Sequence, residues 1–180
     1  MVAPQSIVRV HQYDQTLTFQ VEGRATMHQS LLIRRFAEQC LAGRTTVLGV
    51  DLRHCTHMDS TFLGTLVFLR RAVNQQGQGE FTLISPSPEC CRLLQQMGLE
   101  KIFPIVAVEE LAASTWTELK SELEDTKVFK RNVVQAHQEL AHLEGPAGEI
   151  FRELADSLAR ELESEKPESW QDKNRQSSRT

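Results

Sequence analysis

The chain lacks the long apolar run that a transmembrane helix needs. No stretch of its 180 residues approaches about 18 consecutive apolar positions, and the first residues show no charged-then-apolar signal pattern. We therefore expect a cytoplasmic protein without membrane insertion.

Positive charge is not concentrated in one part of the chain either. Residues 1–107 hold ten Lys and Arg against eight Asp and Glu, and residues 108–180 hold ten against sixteen. This distribution is not typical of a nucleic-acid-binding surface, which needs a clustered basic face.

Patterns that indicate catalysis or metal binding are missing as well. The four cysteines have no framework spacing, and Cys40 and Cys90 suit reduced thiols on apolar helix faces. His54 and His57 lie three residues apart, but no second ligand pair is spaced to complete a tetrahedral metal site. Residues 77–79 form a glycine-containing turn that precedes a predicted strand, whereas a dinucleotide-binding loop follows one. We expect no enzyme, no metal and no cofactor.

Hydrophobic periodicity predicts alternating strands and helices in the first half of the chain. Two alternating runs separated by a turn at residues 13–15 predict a hairpin that Gly23 ends. A helix is expected from Ser30, as its N-cap, to Gly43. The continuous apolar run from Thr46 to Leu52 is typical of a central strand buried on both faces.

The second part of this region repeats the alternation. An apolar helical stripe follows residue 61, residues 81–85 predict a strand, and residues 103–107 predict a last one. Between these strands, Ser87 and Pro88 start a helix as N-cap and first helical residue, and Gly98 ends it in the left-handed conformation. The order is ββαβαβαβ. We therefore predict an α/β domain over residues 1–110, with a mixed sheet of four to five strands and helices packed on it.

The rest of the chain has a different character. A helix is predicted from Thr117 to Leu143, Gly145-Pro146 breaks it, and a second amphipathic helix follows. Residues 111–165 thus form a C-terminal helical extension, and the polar residues 166–180 are expected to be a disordered tail. Two helices alone cannot bury enough surface to be stable, so they should pack on their own domain, on a second copy as a homodimer, or on a partner. His137, in the first helix, is expected to be exposed.

The most informative residues are Asp59, Ser60 and Thr61, which lie between a predicted strand and a predicted helix. A hydroxyl at this junction lies over free helix N–H groups and the positive end of the helix dipole. It is therefore either a simple N-cap or a place where a phosphate can be attached and its charge recognised by a partner. The sequence pattern by itself leaves both possibilities open.

Short segments between residues 5 and 110 resemble the STAS domain of bacterial anti-sigma-factor antagonists. They are Val50-Asp51-Leu52, Met58-Asp59-Ser60-Thr61, Leu63-Gly64, Leu83-Ile84-Ser85-Pro86-Ser87-Pro88, Leu93-Leu94, Met97-Gly98-Leu99 and Ile102-Phe103-Pro104-Ile105. The resemblance implies the strand and helix order already reached. It also implies a non-catalytic signalling protein whose unphosphorylated form binds a serine-kinase anti-sigma factor and so releases a sigma factor. Phosphorylation of the serine after the motif's aspartate, here Ser60, ends that binding, and a serine phosphatase restores it.

The resemblance also implies a kinase-binding face around Ser30, Ser60 to Leu63 and the helix that follows, with Asp59 and Thr61 at its rim. Two departures bear on this face. Phe62 stands where the family usually has a small residue, so its ring either covers the hydroxyl or enlarges an apolar docking patch. Residues 23–26 lack the aspartate that many antagonists carry there. The alternative is a constitutive STAS adaptor without phosphorylation, such as an accessory subunit of a transport ATPase or a sensory scaffold.

Overall fold

The computed structural model describes residues 6–75, 77, 79–109, 115–120 and 125–164. The predicted disordered tail, residues 166–180, lies outside this part of the chain. The strands are β1 (Ile7–Tyr13), β2 (Thr16–Ala25), β3 (Val47–Asp51), β4 (Cys55–Met58), β5 (Glu80–Ile84), β6 (Ile105–Val106) and β7 (Thr117–Glu118). The helices are α1 (Met27–Leu41), α2 (Ser60–Asn74), α3 (Pro88–Gln96), α4 (Thr126–Ala141) and α5 (Pro146–Ser164).

The described strands form one mixed sheet in the order β6-β5-β3-β2-β1-β7, and β4 pairs with the end of β2. The pairs β2–β3, β3–β5 and β5–β6 are parallel, whereas β1 is antiparallel to both β2 and β7. β3 is central and nearly continuously buried, as its apolar sequence predicts. The predicted mixed α/β architecture is confirmed.

The sheet has seven strands in the described residues, more than the four to five predicted. Gly23 does not end β2. It has a φ of 79° and lies at an irregularity in the pairing, after which β2 continues to Ala25 beside β4. β4 has only four residues, and it pairs with a strand about thirty residues earlier in the sequence. No turn motif beside β4 therefore predicts this pairing.

The start of α1 also differs from the prediction. Ser30 lies inside the helix, and the N-cap is Thr26. The side chain of Gln29 accepts a hydrogen bond of 3.1 Å from the Thr26 backbone N–H, which completes a capping box one turn before Ser30. The start of α3 is as predicted, because Ser87 Oγ accepts from the Cys90 N–H at 3.2 Å and Pro88 is the first helical residue. Gly98 has the predicted left-handed φ, 67°.

The segment predicted as one helix from Thr117 to Leu143 contains two different elements. Thr117–Glu118 pair with β1 at the edge of the sheet, and the helix α4 begins only at Thr126. Asp125 caps it, accepting a hydrogen bond of 2.9 Å from the Lys127 N–H. The predicted break at Gly145-Pro146 is confirmed, because α5 begins at Pro146.

The helices stack in layers on the sheet. α1 and α2 lie against the strands, α4 packs chiefly on α2 and to a lesser degree on α1, and α5 packs on α4. The helical hairpin, defined here as α4 and α5, therefore docks on its own domain. None of the helices in the described ranges is both long and apolar enough to span a membrane.

Candidate functional site: the N-terminus of α2

The junction before α2 is held by the side chain of Asp59. This residue is the N-cap of α2, with extended backbone (φ −93°, ψ 173°), and its Oδ1 accepts a hydrogen bond of 2.8 Å from the Phe62 N–H. Its other oxygen, Oδ2, accepts 2.9 Å from the Met27 N–H at the start of α1. One carboxylate thus satisfies orphan N–H groups of two helices, and its charge faces the positive end of both dipoles.

Ser60 is the first residue of α2, and its hydroxyl has a different role from a cap. Asp59 already occupies the cap position, so the possibility that Ser60 is the N-cap is wrong. The Ser60 Oγ is instead 3.0 Å from Nε2 of His137, which lies 77 residues later on α4. Ser60 itself is half-buried. Its hydroxyl therefore stands at the helix N-terminus, in contact with the C-terminal helical hairpin.

The expectation that His137 is exposed is wrong. Its side chain is almost completely buried where α4 packs against its neighbouring helices. Its Nδ1 is 2.8 Å from the backbone oxygen of Val133. A carbonyl oxygen can only accept, so Nδ1 carries a proton and, in the neutral ring, Nε2 accepts the proton of the Ser60 hydroxyl. The ring of Phe151, on α5, lies 6.0 Å from the His137 ring, centroid to centroid. Both helices of the hairpin thus hold this imidazole in place.

The other residues predicted for the binding face are placed close together but are largely enclosed. Thr61, Phe62 and Leu63 are buried, and Phe62 and Leu63 belong to the main apolar core. Ser30 is completely buried inside α1, and its hydroxyl has no hydrogen-bond partner in the described part of the chain. The ring of Phe62 points into the core, so it does not present an apolar patch at the surface. The roles of these residues in an interface stay predictions.

Three contacts to α4 could not be found from local sequence patterns. Besides the bond from Ser60 to His137, the backbone of Gly64 lies directly against that of Ala136, and Arg71 forms an ion pair with Glu139. One signal does predict that something covers α2. Its residues are apolar on nearly all sides, and a helix of this kind is normally buried on more than one face.

Two of the four free cysteines form a separate cluster below the first turn of α3. Cys55 and Cys90 are both buried. A hydrogen bond from the Cys55 thiol, opposed by burial, lowers the pKa of Cys90 to about 7, while the same bond and burial raise the pKa of Cys55. Within the described part of the chain, no group of three or more His, Cys, Asp or Glu side chains is arranged to hold a metal ion.

Comparisons with known proteins identify the family. The STAS domain family model matches residues 8–112. An anti-sigma F factor antagonist from Paenibacillus polymyxa is 30% identical over 90 residues, which are 49% of this chain and 76% of the relative. Both α4 and α5 begin after the residues matched to the family.

Solved structures agree in fold. The unphosphorylated anti-sigma factor antagonist SpoIIAA has a TM-score of 0.52 at 20% identity, over 57% of this chain and 89% of that one. The phosphorylated form of the Bacillus cell fate determinant SpoIIAA has a TM-score of 0.50 at 20% identity, over 57% and 92%. A STAS domain protein from Planctomyces limnophilus gives 0.50 at 22%, over 57% and 91%. This chain therefore belongs to the STAS domain family, with a domain of the anti-sigma-factor-antagonist type.

Proposed function

We propose that this protein is a partner-switching regulator that binds a serine-kinase anti-sigma factor and is released from it by phosphorylation at Ser60. The observation that carries the proposal is the division of roles at the start of α2. Asp59 caps the helix, so the backbone does not need the hydroxyl of Ser60, and a phosphate can be attached there without loss of the cap. A serine phosphatase would return the protein to its binding form.

The electrostatics of the junction suit such a switch. A phosphate on Ser60 adds a charge of about −1.5 to −2. The N–H groups and dipole of α2 accommodate this charge, so the domain itself stays folded. A partner that covers the junction must instead desolvate the phosphate beside the Asp59 carboxylate, which is costly. The fold is thus preserved while the complex is lost.

The test is to co-express the protein with each serine-kinase anti-sigma factor of its source organism and measure its intact mass. We expect one phosphate-sized increment on the wild type, none on Ser60→Ala, and removal of the increment by a serine phosphatase. Ser157→Ala is the matched control, because Ser157 is exposed on α5. An increment that survives Ser60→Ala, or no increment with any kinase that binds, contradicts the switch.

The contact with His137 favours a second candidate function, a constitutive adaptor without phosphorylation. In this reading the hydroxyl of Ser60 serves to fix the hairpin on the domain through its 3.0 Å bond to His137. The hairpin, which lies outside the family match, would then hold a larger assembly. Stable binding to an assembly with no phosphate on Ser60 in any growth condition would favour this candidate over the switch.

A further inference from the structure

We infer that the α4–α5 hairpin is an internal competitor for the partner-binding face of the STAS domain and that Ser60 becomes accessible when the hairpin leaves. The inference rests on the proposed function for the identity of the external partner. Its structural part, the masking of Ser60 by the hairpin, stands on contacts within this chain.

The first argument is the burial of α2. All seven residues from Thr61 to Val67 are buried. Seven residues make about two turns, so they point in every direction around the helix axis. A helix lying on a sheet has one covered face, and the opposite face of α2 is covered by α4. An external protein therefore has no open surface on this part of α2 while the hairpin is docked.

The second argument is how closely the two helices approach. A Cβ built on Gly64 would lie 2.0 Å from the backbone oxygen of Ala136. The two backbones are thus in direct contact, one turn after Ser60. Beyond this point the ion pair between Arg71 and Glu139 joins the same two helices. Ser60, Gly64 and Arg71 are spaced so that they share one side of α2, and α4 contacts all three.

The third argument is that the hairpin buries polar groups beside its apolar ones, Leu140 and Phe151, which belong to the main core. The residues α4 buries include His137, Glu139 and Asn132, and both polar atoms of the Asn132 side chain have no partner among the described residues. An unsatisfied buried amide favours the state in which water reaches it. The docked hairpin therefore carries a built-in penalty that undocking removes, as expected for a contact that opens.

Competition has a measurable consequence. If the binding face is free only in the undocked fraction, the apparent dissociation constant for the partner is raised in inverse proportion to that fraction. Changes that undock the hairpin should then expose Ser60 and tighten partner binding together.

The test uses the full chain with Ser60→Cys, and the rate of alkylation by iodoacetamide is followed peptide by peptide with mass spectrometry. Gly64→Ala forces α4 off, because the new Cβ meets the Ala136 backbone, while it raises the intrinsic helix propensity of α2. Ala136→Leu separates the same helices from the other side. Ala107→Leu, at an exposed position outside the hairpin, is the matched control.

We expect Gly64→Ala and Ala136→Leu each to speed the alkylation of the cysteine at position 60 by about tenfold or more, which corresponds to about 1.4 kcal/mol of lost docking free energy. The native Cys55 and Cys90 are buried in the domain core and serve as internal references. Their labelling should stay slow, because only the hairpin opens. The variant Ser157→Cys gives the rate for an exposed cysteine on α5. Labelling at position 60 that is already as fast as in Ser157→Cys, or that neither variant changes, overturns the inference.

A second measurement separates this inference from the proposed function. The affinity of the anti-sigma factor is measured for the wild type, Ala136→Leu and Ala107→Leu, all with Ser60 intact. Tighter binding of Ala136→Leu alone supports competition. Equal affinities for all three show that the hairpin does not compete, while the proposed function stands. Faster labelling at position 60 without binding of any variant refutes the proposed function and leaves the masking of Ser60 supported.

Discussion

The two sides of α2 are built in different ways. One side carries Phe62, Leu66, Leu69 and Val73, all apolar, completely buried and part of the main core. The other side carries Ser60, Gly64, Val67 and Arg71. Ser60 precedes Phe62 by two positions, which places this side about 200° around the helix axis from the first. The first side contacts the sheet, whereas the second meets α4 through a hydrogen bond, a backbone contact and an ion pair, in addition to apolar packing that includes Val67 and Leu140.

The difference separates a contact that is apolar throughout from one that depends partly on polar groups, which suits the opening inferred above. Buried apolar side chains become exposed only when the domain unfolds, because exposing apolar surface to water costs free energy that no new interaction offsets. Hydrogen bonds and ion pairs are replaced by bonds to water, so each contributes only about 1 kcal/mol net. The same helix can therefore anchor the domain with one side and exchange partners with the other.

The largest effect should come from breaking the apolar side. Phe62→Ala removes a completely buried ring, and we expect a loss of about 3–5 kcal/mol in the free energy of unfolding. Urea denaturation measures it. Tyr13→Ala is the control, because Tyr13 is 74% exposed, and it should change stability by less than about 0.5 kcal/mol. Similar values for the two variants would contradict the assignment of Phe62 to the core.

The next largest loss of stability should come from the cap at the start of α2. Asp59→Ala removes the cap of α2 and the hydrogen bond to the Met27 N–H at the start of α1, which at about 1 kcal/mol each predicts a loss of about 2 kcal/mol. Asp125→Ala is the matched control, since Asp125 caps α4 alone, and about half the loss is expected. Thermal or urea unfolding compares the two variants. Equal losses would show that the bond to Met27 contributes nothing.

A substitution on α4 should strengthen the contact that the polar side of α2 makes with the hairpin. Asn132→Leu replaces an unpartnered buried amide by an apolar side chain of similar size, so the docked hairpin should gain about 1–2 kcal/mol. Slower hydrogen exchange of the α4 amides measures this gain. Asn74→Leu, at an exposed position on α2, is the control and should leave exchange in α4 unchanged. Faster exchange in Asn132→Leu would mean that Asn132 has a partner in the docked state.

The smallest effect is expected for the hydroxyl itself. Ser60→Ala removes one hydrogen bond to His137, and we expect the hairpin to lose about 1 kcal/mol of docking free energy with little change in the stability of the sheet. Hydrogen exchange resolves the two regions, and Ser157→Ala is the control. A loss spread equally over β3 and α4 would indicate that Ser60 supports the domain rather than the hairpin.

Local signals in the sequence predicted much of the fold. The cap at Ser87 with Pro88, the left-handed Gly98 and the buried strand β3 each depend on neighbours within a few residues, and all are present. The strand β4, the strand β7 and the true start of α1 were missed. β4 and β7 are short elements stabilised by distant strands, and Thr26 and Gln29 form a cap that a stronger hydroxyl signal at Ser30 obscured.

The sequence by itself determined the family, through the segments that resemble STAS domains. It also determined the mixed sheet and the position of Ser60 at the start of a helix, because periodicity, capping residues and turn glycines act over short distances. Only the tertiary structure decided what Ser60 contacts. His137 lies 77 residues away on a helix whose own pattern suggested an exposed histidine, and its burial depends on how α4 packs against a helix that is apolar all round. The docking of the hairpin is thus a long-range property, carried by two backbones close enough to exclude a Cβ at Gly64.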